Sequence, residues 1–195
     1  MLKIGLTGNI GAGKSYIASK FEELGIPVFN SDESSKKILE WPKVIDKIEK
    51  VFGESVVINA TIDKEQLGNI VFNNKSYLKE LQDLLYPYVE KDLNSWYAEQ
   101  EAKEDVPPYV IVESAIILEN NKQDIFDKII TVIAPKDIRI ERVIERNGSK
   151  EYFERAEKNQ LKQNEKIKIA DYVIQNDNKE DVIEAIKEIH EEIIS

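Results

Sequence analysis

The chain has 195 residues, 37 Asp/Glu against 27 Lys/Arg for a formal net charge of −10, no cysteine and one histidine, His190. That length suits one α/β unit with a helical insertion better than two independent domains. The acidic balance argues against general nucleic-acid binding, and the missing thiols and lone histidine exclude disulfides, Cys-ligated metals, zinc sites and His-based triads.

Leu2, Ile4 and Leu6 form a short apolar strand that ends at Thr7. Gly8-Asn9-Ile10-Gly11-Ala12-Gly13-Lys14-Ser15 follows, and fits the phosphate-binding P-loop pattern G-x-x-x-x-G-K-[ST]. Tyr16 to Phe21 then reads as a helix, so the motif sits in the strand–loop–helix context it needs. Its glycines let the backbone come close to phosphate oxygens, and the helix N-terminus is aimed at them. Lys14 places a cation near the β- and γ-phosphates, and Ser15 offers a hydroxyl to Mg²⁺. Asn9, Ile10, Gly11, Ala12, Gly13, Lys14, Ser15 and Tyr16 are therefore the candidate nucleotide-binding residues.

Gly25-Ile26-Pro27-Val28-Phe29-Asn30 gives a turn and a second strand, followed by Asp32. Asp32 has two readings: a carboxylate that accepts an acceptor's proton or binds Mg²⁺ through water, or a helix N-cap. Residues 34–104 read as helices only. Pro42 opens a helix with Val44, Ile45, Ile48 and Val51 on one stripe, stopped by Gly53. Asp63 with Gln66 suggests a capping box, Ser76 a further cap, and Pro87 the start of another helix.

Pro108 to Val112 predicts a third strand ending at Glu113, a carboxylate that either orients hydrated Mg²⁺ or is simply acidic at a strand end. Lys128 to Ile133 predicts a fourth strand and Tyr172 to Ile174 a fifth. Their unbroken apolar runs suit parallel strands buried on both faces. Arg139, Arg142 and Arg146 recur along one helix face after the fourth strand. They either clamp a nucleotide or form salt bridges with Glu141 and Glu145. Residues 136–168 hold ten Lys/Arg and seven Asp/Glu, a net of +3 that leaves −13 elsewhere. That stretch is a cover for phosphates or an ordinary solvated helix. The last helix, from about Lys179, carries Val182, Ile186, Ile189 and Ile193, with His190 at its surface or boundary. Asn121-Lys122-Gln123-Asp124 matches the guanine motif N-K-x-D but lacks its strand context and an upstream D-x-x-G, so it reads as a chance loop.

Taken in order, the segments resemble the dephospho-CoA kinase family nearly end to end. The match runs from Ile4 through Ser15, Leu24-Gly25-Ile26-Pro27-Val28 with Asp32, Leu84-Leu85-Tyr86-Pro87 and Glu113 to Glu119. It continues through Arg142, Arg146-Asn147-Gly148 and Gln160 to Ala170-Asp171-Tyr172-Val173-Ile174-Gln175-Asn176. The resemblance implies a three-layer α/β/α P-loop kinase fold with a five-stranded parallel sheet, a helical acceptor-binding insertion and a lid. It implies a nucleotide-binding core of residues 1–32, 106–140 and 169–195, an acceptor (CoA)-binding domain of 33–105 and a lid of 141–168. The implied reaction moves the γ-phosphate of ATP to the ribose 3′-hydroxyl of dephospho-CoA. Asp32, Lys14 and Arg146 take catalytic places, Arg142 stacks on adenine, Asn176 lies along it, and Ser15 and Glu113 serve Mg²⁺. Lys36 and Lys37 are available for the acceptor's pyrophosphate. The chain departs from the family pattern at Asn30, where an aspartate is usual, and at Tyr86, where a histidine is usual. Arg155 lies one position off the usual lid arginine.

The absence of a transmembrane-length run, and a P-loop that begins at residue 8, lead to the expectation of a soluble, cytoplasmic protein with no presequence; a monomer is expected as well. Its partners are expected to be ATP and dephospho-CoA, with no nucleic acid and no membrane. Two other classes stay open on the residues alone: a kinase of the same fold with another nucleoside acceptor, and a P-loop switch or ATPase.

Overall fold

Strands whose two faces are both covered need apolar residues at successive positions, as in Leu2–Gly8, Tyr109–Glu113 and Lys128–Ile133; the expected fifth strand is buried only at Ile174 because it forms an edge of the sheet. The computed structural model describes residues 1–147 and 149–195; Gly148, which closes the Arg146-Asn147-Gly148 match, lies outside the described residues. In chain order the elements begin with β1 (Leu2–Gly8), α1 (Lys14–Glu23), β2 (Val28–Asn30), α2 (Ser31–Ile38) and α3 (Pro42–Phe52). They continue with β3 (Val57–Ile58), β4 (Thr61–Ile62), α4 (Lys64–Phe72), α5 (Lys75–Glu101), β5 (Tyr109–Glu113) and β6 (Lys128–Ile133). The last are α6 (Lys136–Asn147), α7 (Lys150–Lys158), α8 (Gln163–Ile169), β7 (Tyr172–Gln175) and α9 (Lys179–Ile194). The chain divides into two units, Met1–Asn30 with Ala98–Ser195, and Ser31–Tyr97. Among the described residues no helix is long and apolar enough to cross a membrane.

In the first unit the sheet runs β2-β5-β1-β6-β7, every neighbouring pair parallel. Alternate strand residues Ile4, Leu6, Ile111, Ile130, Val132 and Ile174 pack on one face against Ile17 and Phe21 of α1 and Val182, Ile186 and Ile189 of α9. Burial of each such side chain contributes about 1.5–3 kcal/mol. The opposite face carries Ile129 with Ile117, Leu118 and Leu161, which makes three layers. Register sets the site: Leu6 and Asn30 both lie opposite Glu113, so β2 and β5 finish together and β1 runs two residues past them into the P-loop. His190 is half-buried, and Tyr109 Oη meets its Nδ1 at 2.8 Å.

The second unit keeps the predicted α3, with Val44, Ile45 and Ile48 buried, but Val51 is 39% exposed. Three expectations need correction. Residues 34–104 are not helices only: β3 and β4 pair as a hairpin through Asn59 and Ala60, both at positive φ. The two-residue turn matches the strand twist, but strands of two residues leave no periodicity to read. Second, Pro87 does not start a helix; it lies inside the 27-residue α5. A proline inside a helix costs roughly 3 kcal/mol through its lost donor and ring clash, and here contacts of Leu81, Leu84, Leu85, Tyr88 and Val89 offset it. Third, Ser76 is not the cap: Asn74 Oδ1 accepts from the Ser76 and Tyr77 N–H groups. Asp63 does cap α4, accepting from the N–H groups of Glu65 and Gln66, but the box is not completed, because the Asp63 N–H donates to the Val56 carbonyl.

Candidate active site

The P-loop is held from outside by side chains far along the chain. Arg139 Nη1 donates to the Ile10 carbonyl at 3.3 Å, and Arg142 Nη1 to the Gly11 and Ala12 carbonyls at 3.5 and 3.3 Å. Asn176 Nδ2 donates to the Ala12 carbonyl at 2.8 Å. In a trans peptide the next N–H points away from the carbonyl. Pinning the Ile10 and Ala12 carbonyls outward therefore turns the Gly11 and Gly13 N–H groups to the concave side. The first turn of α1 adds the Lys14 and Ser15 N–H groups, which have no helical partner. Gly11 and Gly13 are required for a reason beyond room for a ligand. Both have positive φ, and a Cβ would overlap the Arg139 carbonyl at Gly11 and Asn176 Nδ2 at Gly13.

A second set of bonds ties the loop to residues 160–161. The Ile10 N–H donates to Gln160 Oε1 at 2.8 Å, and Asn9 Nδ2 to the Leu161 carbonyl at 2.9 Å. The Leu161 N–H in turn donates to Glu119 Oε1 at 2.9 Å. Lys166, on α8 and fully buried, pairs with that oxygen at 2.8 Å and donates to the Ala115 carbonyl at 3.1 Å. Burial lowers the Lys166 pKa, Glu119 opposes the shift, and the nearby positive charge of Lys14 adds to it. Sequence reasoning missed Lys166, because Lys162, Lys166 and Lys168 look alike in one basic helix.

Ser15 Oγ donates to Glu113 Oε1 at 2.9 Å, and Asn30 Nδ2 to Glu113 Oε2 at 2.7 Å. Glu113 is only 3% exposed. A hydroxyl beside one buried carboxylate fits Mg²⁺, which takes few protein ligands and completes its shell with water and phosphate.

The three arginines do not share one task. Arg139 is 3% exposed; its Nη2 meets Glu157 Oε1 at 2.6 Å and its guanidinium lies 5.3 Å from the Phe153 ring centroid. It fastens α6 to α7, and its acid partner is Glu157, not Glu141 or Glu145. Arg142 Nη2 donates to the Asn176 carbonyl at 2.9 Å, so it joins the P-loop to the end of β7. Arg146 is exposed near the end of α6. Burial alone would raise the Glu157 carboxyl, but hydrogen bonds from Arg139 and Lys136 outweigh it and hold the pKa below the ordinary value.

Asn9, Ile10, Gly11, Ala12, Gly13, Lys14, Ser15, Tyr16, Glu113, Arg142 and Asn176 thus gather in the first unit. Asp32 belongs to the second, exposed in the first turn of α2. The N-cap reading of Asp32 fails, because α2 already begins at Ser31. Lys36 is paired with Glu33 at 2.5 Å, which leaves Lys37 the less encumbered of the two lysines expected to meet pyrophosphate. Ser34 Oγ donates to Asp92 Oδ2 at 2.5 Å, a contact with no local sequence signal.

The model of the family described as dephospho-CoA kinase matches residues 2–181. A dephospho-CoA kinase of Aquifex aeolicus is 34% identical over 99% of this chain and 98% of its own. A solved structure of the protein TT1252 from Thermus thermophilus superposes with a TM-score of 0.85 at 28% identity, covering 98% of this chain and 97% of that one. The dephospho-CoA kinase of Campylobacter jejuni superposes with a TM-score of 0.67 at 25% identity, over 98% and 96%.

Proposed function

The chain belongs to the dephospho-CoA kinase family, and from that premise we propose that it transfers the γ-phosphate of ATP to the ribose 3′-hydroxyl of dephospho-CoA. The products are CoA and ADP, and the step closes coenzyme A biosynthesis. The observation that carries the reading is the P-loop whose Ser15 meets the buried Glu113, within a chain matched by the family model over residues 2–181.

The P-loop N–H groups and Lys14 hold the β- and γ-phosphates and neutralise the charge that develops on the transferred group. Asp32 accepts the proton of the 3′-hydroxyl as its oxygen forms the new bond to phosphorus. The bond to the β,γ-bridging oxygen breaks, and the electron pair leaves on ADP. Its support is position: Asp32 follows Asn30, the Glu113 partner, by two residues. Ser15 and Glu113 hold Mg²⁺, which when bound draws charge off the phosphate oxygens. Asn176 lies along adenine with Arg142 stacked on it, and Arg146 meets the phosphates. Residues 141–168 act as the lid and exclude water, residues 33–105 hold the acceptor, and the remaining chain is the core. In this reading the enzyme works as a cytoplasmic monomer, with no nucleic acid or membrane partner.

Mass spectrometry after incubation with MgATP and dephospho-CoA tests it, with AMP and adenosine as parallel acceptors. CoA formed only in the dephospho-CoA tube is the expected result. Asp32→Asn lowers kcat by ~10²–10⁴-fold with little change in ATP affinity. Unchanged turnover in that variant removes Asp32 from its role.

A further inference from the structure

Trp41 and Tyr88 meet edge to face in the second unit, with ring centroids 5.9 Å apart. Two ammonium groups lie over this pair. Lys43 Nζ is 4.9 Å from each centroid, and Lys47 Nζ is 5.4 Å from that of Tyr88. All four side chains border a cleft of about 570 Å³ that Lys91 of α5 also lines. Trp41 is the N-cap residue of the 11-residue α3, so the cleft borders the start of that helix.

The charges in this cleft are not balanced from within. Lys43 and Lys47 stand one helical turn apart, where like charges repel. Asp83, on the cleft wall, is taken by Lys79 at 2.7 and 3.0 Å, and Asp92 accepts from Ser34. Among the described residues neither Lys43 nor Lys47 has a carboxylate within ion-pairing distance. Ring faces attract the ammonium groups but accept no strong hydrogen bond from their outer N–H donors. A hydrogen bond from Lys47 holds the Tyr88 pKa below its ordinary value. A chain of net charge −10 has here gathered three cations and a phenol against two carboxylates, one of which is already paired with Lys79.

We infer that this cleft binds a phosphate-ester dianion or a diphosphate, held by Lys43, Lys47 and Lys91 with Trp41 and Tyr88 as its aromatic wall. A multiply charged tetrahedral anion can accept from all three ammonium groups, which a single carboxylate cannot match in charge. Two sources share this chemistry: the diphosphate bridge of the acceptor, and a separate phosphorylated effector. The first rests on the kinase reading above; the second does not.

The test uses the full chain carrying Trp96→Phe, so that Trp41 is the sole tryptophan, and Lys14→Ala to silence the P-loop. Inorganic pyrophosphate is titrated without metal while Trp41 fluorescence is followed. The expected result is a saturable change that Lys43→Ala/Lys47→Ala weakens by at least ~10-fold and Lys43→Arg/Lys47→Arg preserves. No saturable change, or equal affinity in the alanine variant, overturns the site. In the enzyme with Lys14 and Trp96 restored, the alanine pair raises KM for dephospho-CoA by ~10-fold and leaves KM for ATP within about twofold if the acceptor is the source. Lost pyrophosphate binding with an unchanged acceptor KM assigns the cleft to a separate effector. If the unaltered chain makes no CoA, the kinase reading fails while the fluorescence titration still decides the anion site.

Discussion

The side-chain amide of Asn176 fills the space that a Cβ on Gly13 would take, and from there it donates to the Ala12 carbonyl at 2.8 Å. The bond spans 164 positions of sequence. It makes the shape of an N-terminal loop depend on the end of β7, and Arg142 strengthens the dependence by bonding both partners' backbones.

Gly13→Ala and Asn176→Ala are therefore coupled. Alone, Gly13→Ala is expected to cost ~1–3 kcal/mol through strain and overlap, and Asn176→Ala ~1–2 kcal/mol through the carbonyl left unpaired. Together they cost less than the sum, because Asn176→Ala removes the overlap. Urea unfolding of the four proteins in the cycle measures this, and strict additivity would refute the contact.

Asn30→Asp places a second carboxylate against Glu113 Oε2, where an amide now donates at 2.7 Å. Two like charges at that distance disfavour ionisation of both. The variant is expected to melt several degrees lower than the parent without metal. Mg²⁺ then raises its Tm by more than it raises the parent's. Equal Mg²⁺ shifts in the two proteins would show that Glu113 does not face the ion.

Lys166→Met leaves Glu119 buried without its cation, at an expected cost of ~3–5 kcal/mol. Lys166→Met/Glu119→Gln should recover part of that loss. Because Glu119 also accepts from the Leu161 N–H, the single variant should weaken ATP binding too, read by calorimetric titration.

Glu157 gives the pH dependence a sign. Its carboxyl is held below the ordinary 4.5, so the folded state binds fewer protons than the unfolded one as pH falls past that value. The stabilisation is fully present above 4.5 and is lost as pH drops through the lower folded value. In a Tm–pH profile, Glu157→Gln should start lower at neutral pH and fall less steeply below 4.5. A parallel pair of profiles would mean that Arg139 and Lys136 do not stabilise the ionised form.

Sequence alone determined the features that rest on local geometry. The P-loop pattern, the unbroken apolar runs of β1, β5 and β6, and the stripe of α9 each report on neighbours within a few residues. They predicted the parallel sheet, and the ordered motifs pointed to the family. Tertiary structure alone decided which charged side chains are spent inside the protein. Arg139, Arg142 and Arg146 share one helical spacing, yet Arg139 is buried on Glu157, Arg142 bonds P-loop carbonyls and Arg146 is exposed. Lys166 is buried on Glu119, and Lys43 and Lys47 stand over aromatic rings. The reason is physical: a cation's environment depends on carboxylates, carbonyls and rings brought near by chain reversals tens of residues away, and no local periodicity encodes them. Pro87 within α5 has the same cause, since packing on both sides overrode a strong local preference to break.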